Sequence, residues 1–291
     1  MTEPLFDDAF IGKLETLEIF TRNINTLFYE SGYSGHHKSG EVEFADYKPY
    51  TPGDDIRYID WNVYARLDAY VTKLFGAEEK KRTNILVDAS GSMDIGRKFL
   101  LAGKLGAALA AIGLFSGDIV DAALFDSGIR RFSGVQSERS SASSLFSFFS
   151  GVSCSGTTDY ITSFSEFVRV KKEPSRLICI SDFWSPQSPE RYLNVLKSAE
   201  TETACIQILN RDEIFPDVRG VLRIRDAESG EEISLDAGPA EIRDYQHRME
   251  QRLERMKKAC LQNDMDYVLL RDSVPLEEAL FGTLRNAGIV R

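Results

Sequence analysis

At 291 residues the chain is long enough for one large domain or two small ones, with a sizeable buried core. Its composition, 43% hydrophobic and 27% charged, is ordinary for a soluble globular protein, and a net charge of −10 argues against nucleic acid or an anionic membrane surface as partner. The cysteines, Cys154, Cys179, Cys205 and Cys260, lie far apart with no C-x-x-C pair, and Cys179 and Cys205 sit in apolar strand-like runs, as small core residues in a reducing cytoplasm do.

The acidic N-terminus, Met1-Thr2-Glu3-Pro4, carries no signal-peptide pattern. The longest apolar run, Leu105 to Phe115, is too short to span a bilayer and reads as a buried helix. From about Asp7 to Phe28, apolar residues from Phe10 to Phe28 recur at spacings of three and four, which predicts an amphipathic helix. Tyr29 to Gly40 is a Gly- and Ser-rich loop. It holds His36 and His37, but no Cys or further His stands at a zinc-ligand spacing from them. Val42 and Phe44 alternate with charge as in a short strand, Pro52-Gly53-Asp54 is a turn, and Tyr70 to Phe75 is the expected partner strand. The Asp, Arg and aromatic residues between Asp54 and Trp61 are expected to form paired charges and aromatic plugs that dock this region on the main sheet. Residues 1–82 thus read as an N-terminal helix and β extension packed on a main domain of residues 83–291.

From Asn84 strands alternate with helices. The strand-like runs are Asn84–Asp88, Ile119–Phe125, Leu177–Asp182, Ala204–Leu209 and Tyr267–Arg271. The helix after the first strand carries Leu101, Leu105, Ala108, Leu109, Ile112 and Phe115 on one face, and Gly103, Gly106, Ala110 and Gly113 on others, which allows close packing. The Ser-rich stretch from Ser133 to Ser155 includes Leu145, Phe146, Phe148 and Phe149, a short helix inside a long crossover. Leu222 to Leu235 reads as a hairpin turning at Ser229-Gly230, and a long helix follows from about Pro239 to Gln262, with His247 on its solvated face. The fold class is therefore α/β, a doubly wound and mostly parallel sheet with helices on both sides.

Chemistry concentrates where Asp88 ends the first of these strands. Ser90 and Ser92 follow at spacings of two, with Gly91 between them, so one carboxylate and two hydroxyls share a single loop. These are hard oxygen donors, suited to Mg²⁺ or Mn²⁺ with some positions left to water. The alternative is a loop whose hydroxyls cap the next helix. With strand order 3-2-1-4-5-6, the strand ending in Asp88 lies beside the one ending in Asp182. The oxygen-rich Ser155-Gly156-Thr157-Thr158-Asp159 falls in the crossover just before that neighbour.

This ordered combination resembles the von Willebrand factor A (Rossmann-like) fold and its metal-ion-dependent adhesion site. The resemblance implies a metal-binding set of Asp88, Ser90, Ser92, Thr158 (or Thr157) and Asp182, the last often acting through water. Further upstream, Glu43-Phe44, Tyr50-x-Pro52-Gly53-Asp54-Asp55-x-Arg57-x-Ile59-Asp60-Trp61, Ala65-Arg66 and Glu78-Glu79 resemble the signature of domain-of-unknown-function family 58, as does Asp226-x-Glu228-x-Gly230 in the hairpin. Asn210-Arg211-Asp212-Glu213 departs from the family, in which many relatives carry a Pro or His before the Glu. Members commonly accompany MoxR-type AAA+ ATPases, and some carry N-terminal membrane helices, of which this sequence shows none.

The functional expectation is a cytoplasmic, Mg²⁺-dependent interaction protein, an adaptor that binds a partner carboxylate through the metal and works with a MoxR-type ATPase or its client. An enzyme is less well supported. Position 90 is Ser where a phosphate-transferring Asp would need a second acid, Gly103-Lys104 lacks the rest of a P-loop, and no G-x-S-x-G elbow surrounds Ser90. A metal-dependent phosphoesterase is the alternative from the enzyme class, and a scaffold with a non-functional metal site is the third.

Overall fold

In this computed structural model the described residues are 5–20, 43–76, 80–198, 201–218, 220–228 and 230–291. The elements in chain order are α1 (Asp8–Leu14), β1 (Glu43–Pro49), α2 (Trp61–Leu67), β2 (Val71–Gly76), β3 (Arg82–Asp88), α3 (Lys98–Phe115), β4 (Ile119–Phe125), β5 (Ile129–Phe132), α4 (Ala142–Phe149), α5 (Tyr160–Val170), β6 (Arg176–Ser181), α6 (Pro189–Lys197), β7 (Glu202–Leu209), α7 (Arg211–Ile214), β8 (Gly220–Arg225), β9 (Glu232–Ala237), α8 (Pro239–Gln262) and β10 (Asp266–Arg271). The chain divides into a larger unit, Met1–Asn25 with Lys81–Arg291, and a smaller one, Thr26–Lys80.

The larger unit is built on a six-stranded sheet in the order β10-β7-β6-β3-β4-β5. All neighbouring pairs are parallel except β4 and β5, so β5 is an antiparallel edge strand. Numbered within this sheet the order is 3-2-1-4-5-6, the arrangement under which the strand ending in Asp88 lies beside the one leading to Asp182. The short β5, hidden at the border of the Ser-rich stretch, is the strand that the pattern does not reveal. Successive side chains of the central strands serve opposite faces. Ile85 and Val87 of β3 and Ile178 and Ile180 of β6 belong to one core layer, Leu86, Leu177 and Cys179 to the other. Covering both faces is what lets these strands be continuously apolar.

On the first face lie α1, α3 and α4, through Leu14, Leu105 and Phe149 among others. On the second lie α5, α6 and α8, through Phe164, Leu193 and Met256. Helix α3 is long and apolar enough to cross a membrane, yet 78% of that window is buried inside the unit, because the sheet covers one side and α1 and α4 cover others. Its glycines permit this enclosure. A Cβ on Gly106 would meet Val87 Cγ2 at 3.0 Å and Phe149 Cζ at 3.1 Å. Helix α1 is shorter than the predicted amphipathic helix; the part from residue 21 onward lies outside the described residues, as do His36 and His37. The division also differs from a break at residue 82. Phe6, Phe10, Leu14, Leu17 and Ile19 join the core layer that contains α3, so the N-terminal helix belongs with the larger unit rather than with the β extension.

In the smaller unit β1 and β2 pair antiparallel, as expected of the two alternating segments. Asp60 caps α2, its carboxylate accepting from the Asn62 and Val63 amides at 2.9 and 3.2 Å. The same carboxylate accepts from Tyr47 Oη at 2.9 Å and pairs with Lys73 Nζ at 3.0 Å. An Asp–Arg pair is present, Arg57 Nη2 to Asp55 Oδ2 at 2.6 Å. Trp61 opens α2 with its side chain 60% exposed, its ring centre 6.2 Å from that of Tyr64 and the two rings nearly perpendicular.

Candidate functional site

The sheet order reverses between β3 and β6, and the loops leaving those two strands meet there. Asp88 closes β3 with no exposed surface. Its Oδ1 accepts from the Ser90 amide at 2.9 Å, which curls the loop back on the strand end. Ser90 Oγ then stands 3.1 Å from Ser92 Oγ, and both serines are buried. A short 3₁₀ turn, Gly91–Asp94, follows Ser90, but no side-chain hydrogen bond from Ser90 caps it. The hydroxyls therefore face each other rather than serving the following helix.

The other carboxylate oxygen of Asp88 lies among hydroxyls that the sequence patterns did not single out. Ser181 Oγ, the last residue of β6, donates to Oδ2 at 2.6 Å, and Tyr160 Oη donates to it at 3.3 Å. Tyr160 and Ser181 are themselves 2.8 Å apart. Burial, then the like charge of Asp182, pushes the Asp88 carboxyl up to about 7, against the hydrogen bonds from Ser181 and Ser90. A group so placed is costly to ionise unless a cation arrives to compensate it.

The crossover loop joins this cradle through its backbone. The Gly91 amide donates to Gly156 O at 2.9 Å and the Ser155 amide to Ala89 O at 3.1 Å. Of the two threonines, Thr157 is exposed and Thr158 is half-buried. Thr158 does not bond to the serines. It donates through Oγ1 to Glu228 Oε1 at 3.0 Å and through its amide to Oε2 at 3.2 Å. Burial, with the charges of Asp182 and Asp226, raises the Glu228 carboxyl despite the two bonds from Thr158.

Asp182 sits directly after β6 as expected, but its carboxylate is engaged elsewhere. Oδ2 accepts from Lys98 Nζ at 2.8 Å and Oδ1 from the Trp184 amide at 2.9 Å. Lys98 also reaches Glu213 Oε1 at 2.7 Å. Burial disfavours the ammonium, yet Asp182 and Glu213 together outweigh it and raise the Lys98 pKa. The backbone here is unusual too. Phe183 takes a φ of 51°, rare for a bulky residue, with its amide held by Ser181 Oγ at 2.8 Å.

The structure thus brings Asp88, Ser90 and Ser92 into one buried cluster, ties the Thr158 loop to it through Gly91, and turns Asp182 toward a lysine. Sequence reasoning missed Tyr160, Ser181, Lys98 and the contact made by Glu228. One signal was legible for Lys98: it opens a helix whose other seventeen residues hold a single charge, Lys104. Glu213 completes a capping box with Asn210 and contacts Lys98. The donors around Asp88 are all oxygen, which fits a hard divalent cation such as Mg²⁺ or Mn²⁺. Among the described residues, no group of three or more His, Cys, Asp and Glu is placed to hold a metal, so any ion here must rely on the hydroxyls.

The doubly wound, mostly parallel sheet with helices on both faces is an α/β fold consistent with the von Willebrand factor A type. The chain belongs to the family described as protein of unknown function DUF58, whose profile matches residues 46–256. It is 26% identical over 240 residues to the uncharacterized protein Rv1480 of Mycobacterium tuberculosis, covering 79% of this chain and 75% of that protein. The uncharacterized protein Mb1516 of Mycobacterium bovis matches with the same identity and coverage. Among solved structures, the conserved hypothetical protein BatB from Bacteroides thetaiotaomicron is similar with a TM-score of 0.43 at 15% identity, over 71% of this chain and 98% of that one. Proximal thread matrix protein 1 of the mussel byssus is similar with a TM-score of 0.38 at 12% identity, over 45% and 38% of the two chains.

Proposed function

We propose that this chain is a metal-dependent protein-interaction module of the cytoplasm, working as an adaptor with a MoxR-type AAA+ ATPase or its client, rather than an enzyme. The observation that carries this is the buried trio of Asp88, Ser90 and Ser92 at the switch point, a cluster of oxygens around one carboxylate that is costly to ionise alone. A bound Mg²⁺ or Mn²⁺ would supply a positive coordination position for a carboxylate of the partner. Asp88, Ser90, Ser92 and Thr158 would hold the ion, and Asp182, whose carboxylate pairs with Lys98, would act on it from a distance.

Binding is favoured over catalysis by the state of the neighbouring reactive groups. Lys98 is committed to two carboxylates, so it is not free to act as a base. Burial pushes the Cys154 thiol up to about 12, which removes it as a nucleophile at neutral pH. Cys179, Cys205 and Cys260 are buried free thiols, in keeping with a reducing compartment.

The test is capture of the MoxR-type ATPase by the full chain in Mg²⁺ and in EDTA. Capture should fail in EDTA and with Asp88→Ala, while far-UV circular dichroism of the chain stays at its wild-type form. Equal capture in EDTA would place the contact away from the metal.

A further inference from the structure

The hairpin β8–β9 is exposed along both strands, with Val221 82% and Ile233 61% open to solvent, yet its tip is seated on the loops that bear the oxygen donors. Two contacts seat it. Glu228 takes both the hydroxyl and the amide of Thr158, as described above. Ala227 O lies so close to the β3 loop that a Cβ on Gly91 would come within 2.8 Å of it. The tip is also internally fixed, since the Glu228 amide donates to Asp226 Oδ1 at 2.9 Å and the Gly230 amide to Asp226 O at 3.0 Å. Gly230 closes the turn at a φ of 74°, in the left-handed region that suits glycine. A glutamate on an otherwise solvated hairpin has water available on every side, and this one turns inward.

Distances give that inward turn a chemical meaning. Adjacent ligands of an octahedral Mg²⁺, each about 2.1 Å from the ion, are separated by about 3 Å. Ser90 Oγ and Ser92 Oγ are 3.1 Å apart, and Thr158 Oγ1 and Glu228 Oε1 are 3.0 Å apart. Both are hydrogen-bond separations, and the same spacing lets each pair take adjacent positions on a cation. Asp182, with one oxygen on Lys98 and the other on a backbone amide, leaves the position of a second acidic ligand to another residue.

We propose, resting on the metal-dependent function above, that Glu228 is a ligand of the divalent cation supplied from within the chain, so that the hairpin tip fills the place a partner's carboxylate must take. Asp88 and Glu228 together neutralise the ion. An incoming carboxylate gains little by joining them and enters instead by taking the place of Glu228, which lifts the tip. The hairpin is then the element a partner moves.

Mn²⁺ is the probe, with its affinity read by electron paramagnetic resonance of the free ion and its inner-sphere waters by water-proton relaxation. Wild type, Glu228→Ala and Asp88→Ala are compared, with far-UV circular dichroism as the check on folding. Glu228→Ala should weaken Mn²⁺ binding by about tenfold or more and add one exchangeable water, since even outer-shell partners of a metal site carry that much affinity. Asp88→Ala should abolish binding. If Glu228→Ala keeps wild-type affinity and hydration while Asp88→Ala loses the metal, the cation site stands and Glu228 is no ligand of it. If wild type and Asp88→Ala bind Mn²⁺ equally, the cation site itself is misplaced and the role of Glu228 falls with it.

Discussion

Lys98 and Asp182 form an ion pair at 2.8 Å, with side chains 0% and 1% exposed, directly beside the switch point of the sheet. Lys98 is the first residue of α3, where the helix dipole disfavours a cation, so the pair with Asp182 and the second bond to Glu213 offset both burial and the dipole. Removing one partner of such a pair leaves an uncompensated buried charge. Lys98→Met should therefore lose roughly 3–5 kcal/mol in urea denaturation. Adding Asp182→Asn should recover part of that loss, because the orphaned carboxylate is gone.

Gly91 is expected to tolerate no side chain. A Cβ there would meet Ala227 O at 2.8 Å and Gly156 O at 3.2 Å, both backbone atoms that cannot rotate away. Gly91→Ala should cost roughly 1–3 kcal/mol, the usual range for overpacking. It should also lift the hairpin tip, seen as faster hydrogen exchange of peptides spanning Ala227 and Glu228.

Asp60 gives the smaller unit an acid-sensitive contact. Hydrogen bonds from Lys73, then Tyr47, hold its carboxyl down at about 2, below the ordinary 3.8. Its folded-state pKa is depressed, so the stability it contributes is fully present above about pH 4 and is lost as pH falls toward 2. Asp60→Asn should destabilise the chain at pH 6. The gap between variant and wild type, measured by urea denaturation with circular dichroism, should close as pH approaches 2.

The parallel strands were legible because their apolar runs are short, unbroken and separated by helical periodicity. Ile119–Phe125 has the predicted limits, and β3, β6, β7 and β10 differ from prediction by a residue or two. Strand β5 was hidden because Ile129-Arg130-Arg131-Phe132 has two charges in four residues and lies on an edge. At the site, the Asp-x-Ser-x-Ser spacing reveals the local cluster, since residues two apart in a loop are bound to be neighbours. Nothing local in the sequence joins Asp88 to Ser181 or Thr158 to Glu228, 93 and 70 residues apart, because those pairs meet only when β6 docks beside β3 and the hairpin folds over. The place of Trp61 within the smaller unit was not legible either. An aromatic ring beside charged residues fits a buried plug or a solvent-facing helix start equally well, and here it begins α2.

The account stands most directly on Mg²⁺ binding at Asp88. Titration calorimetry of the full chain at neutral pH should give saturable binding of one Mg²⁺ per wild-type chain, and no binding heat with Asp88→Ala, whose circular dichroism should match wild type. A wild-type chain that binds no Mg²⁺, or an Asp88→Ala variant that binds it with unchanged affinity, would contradict the account.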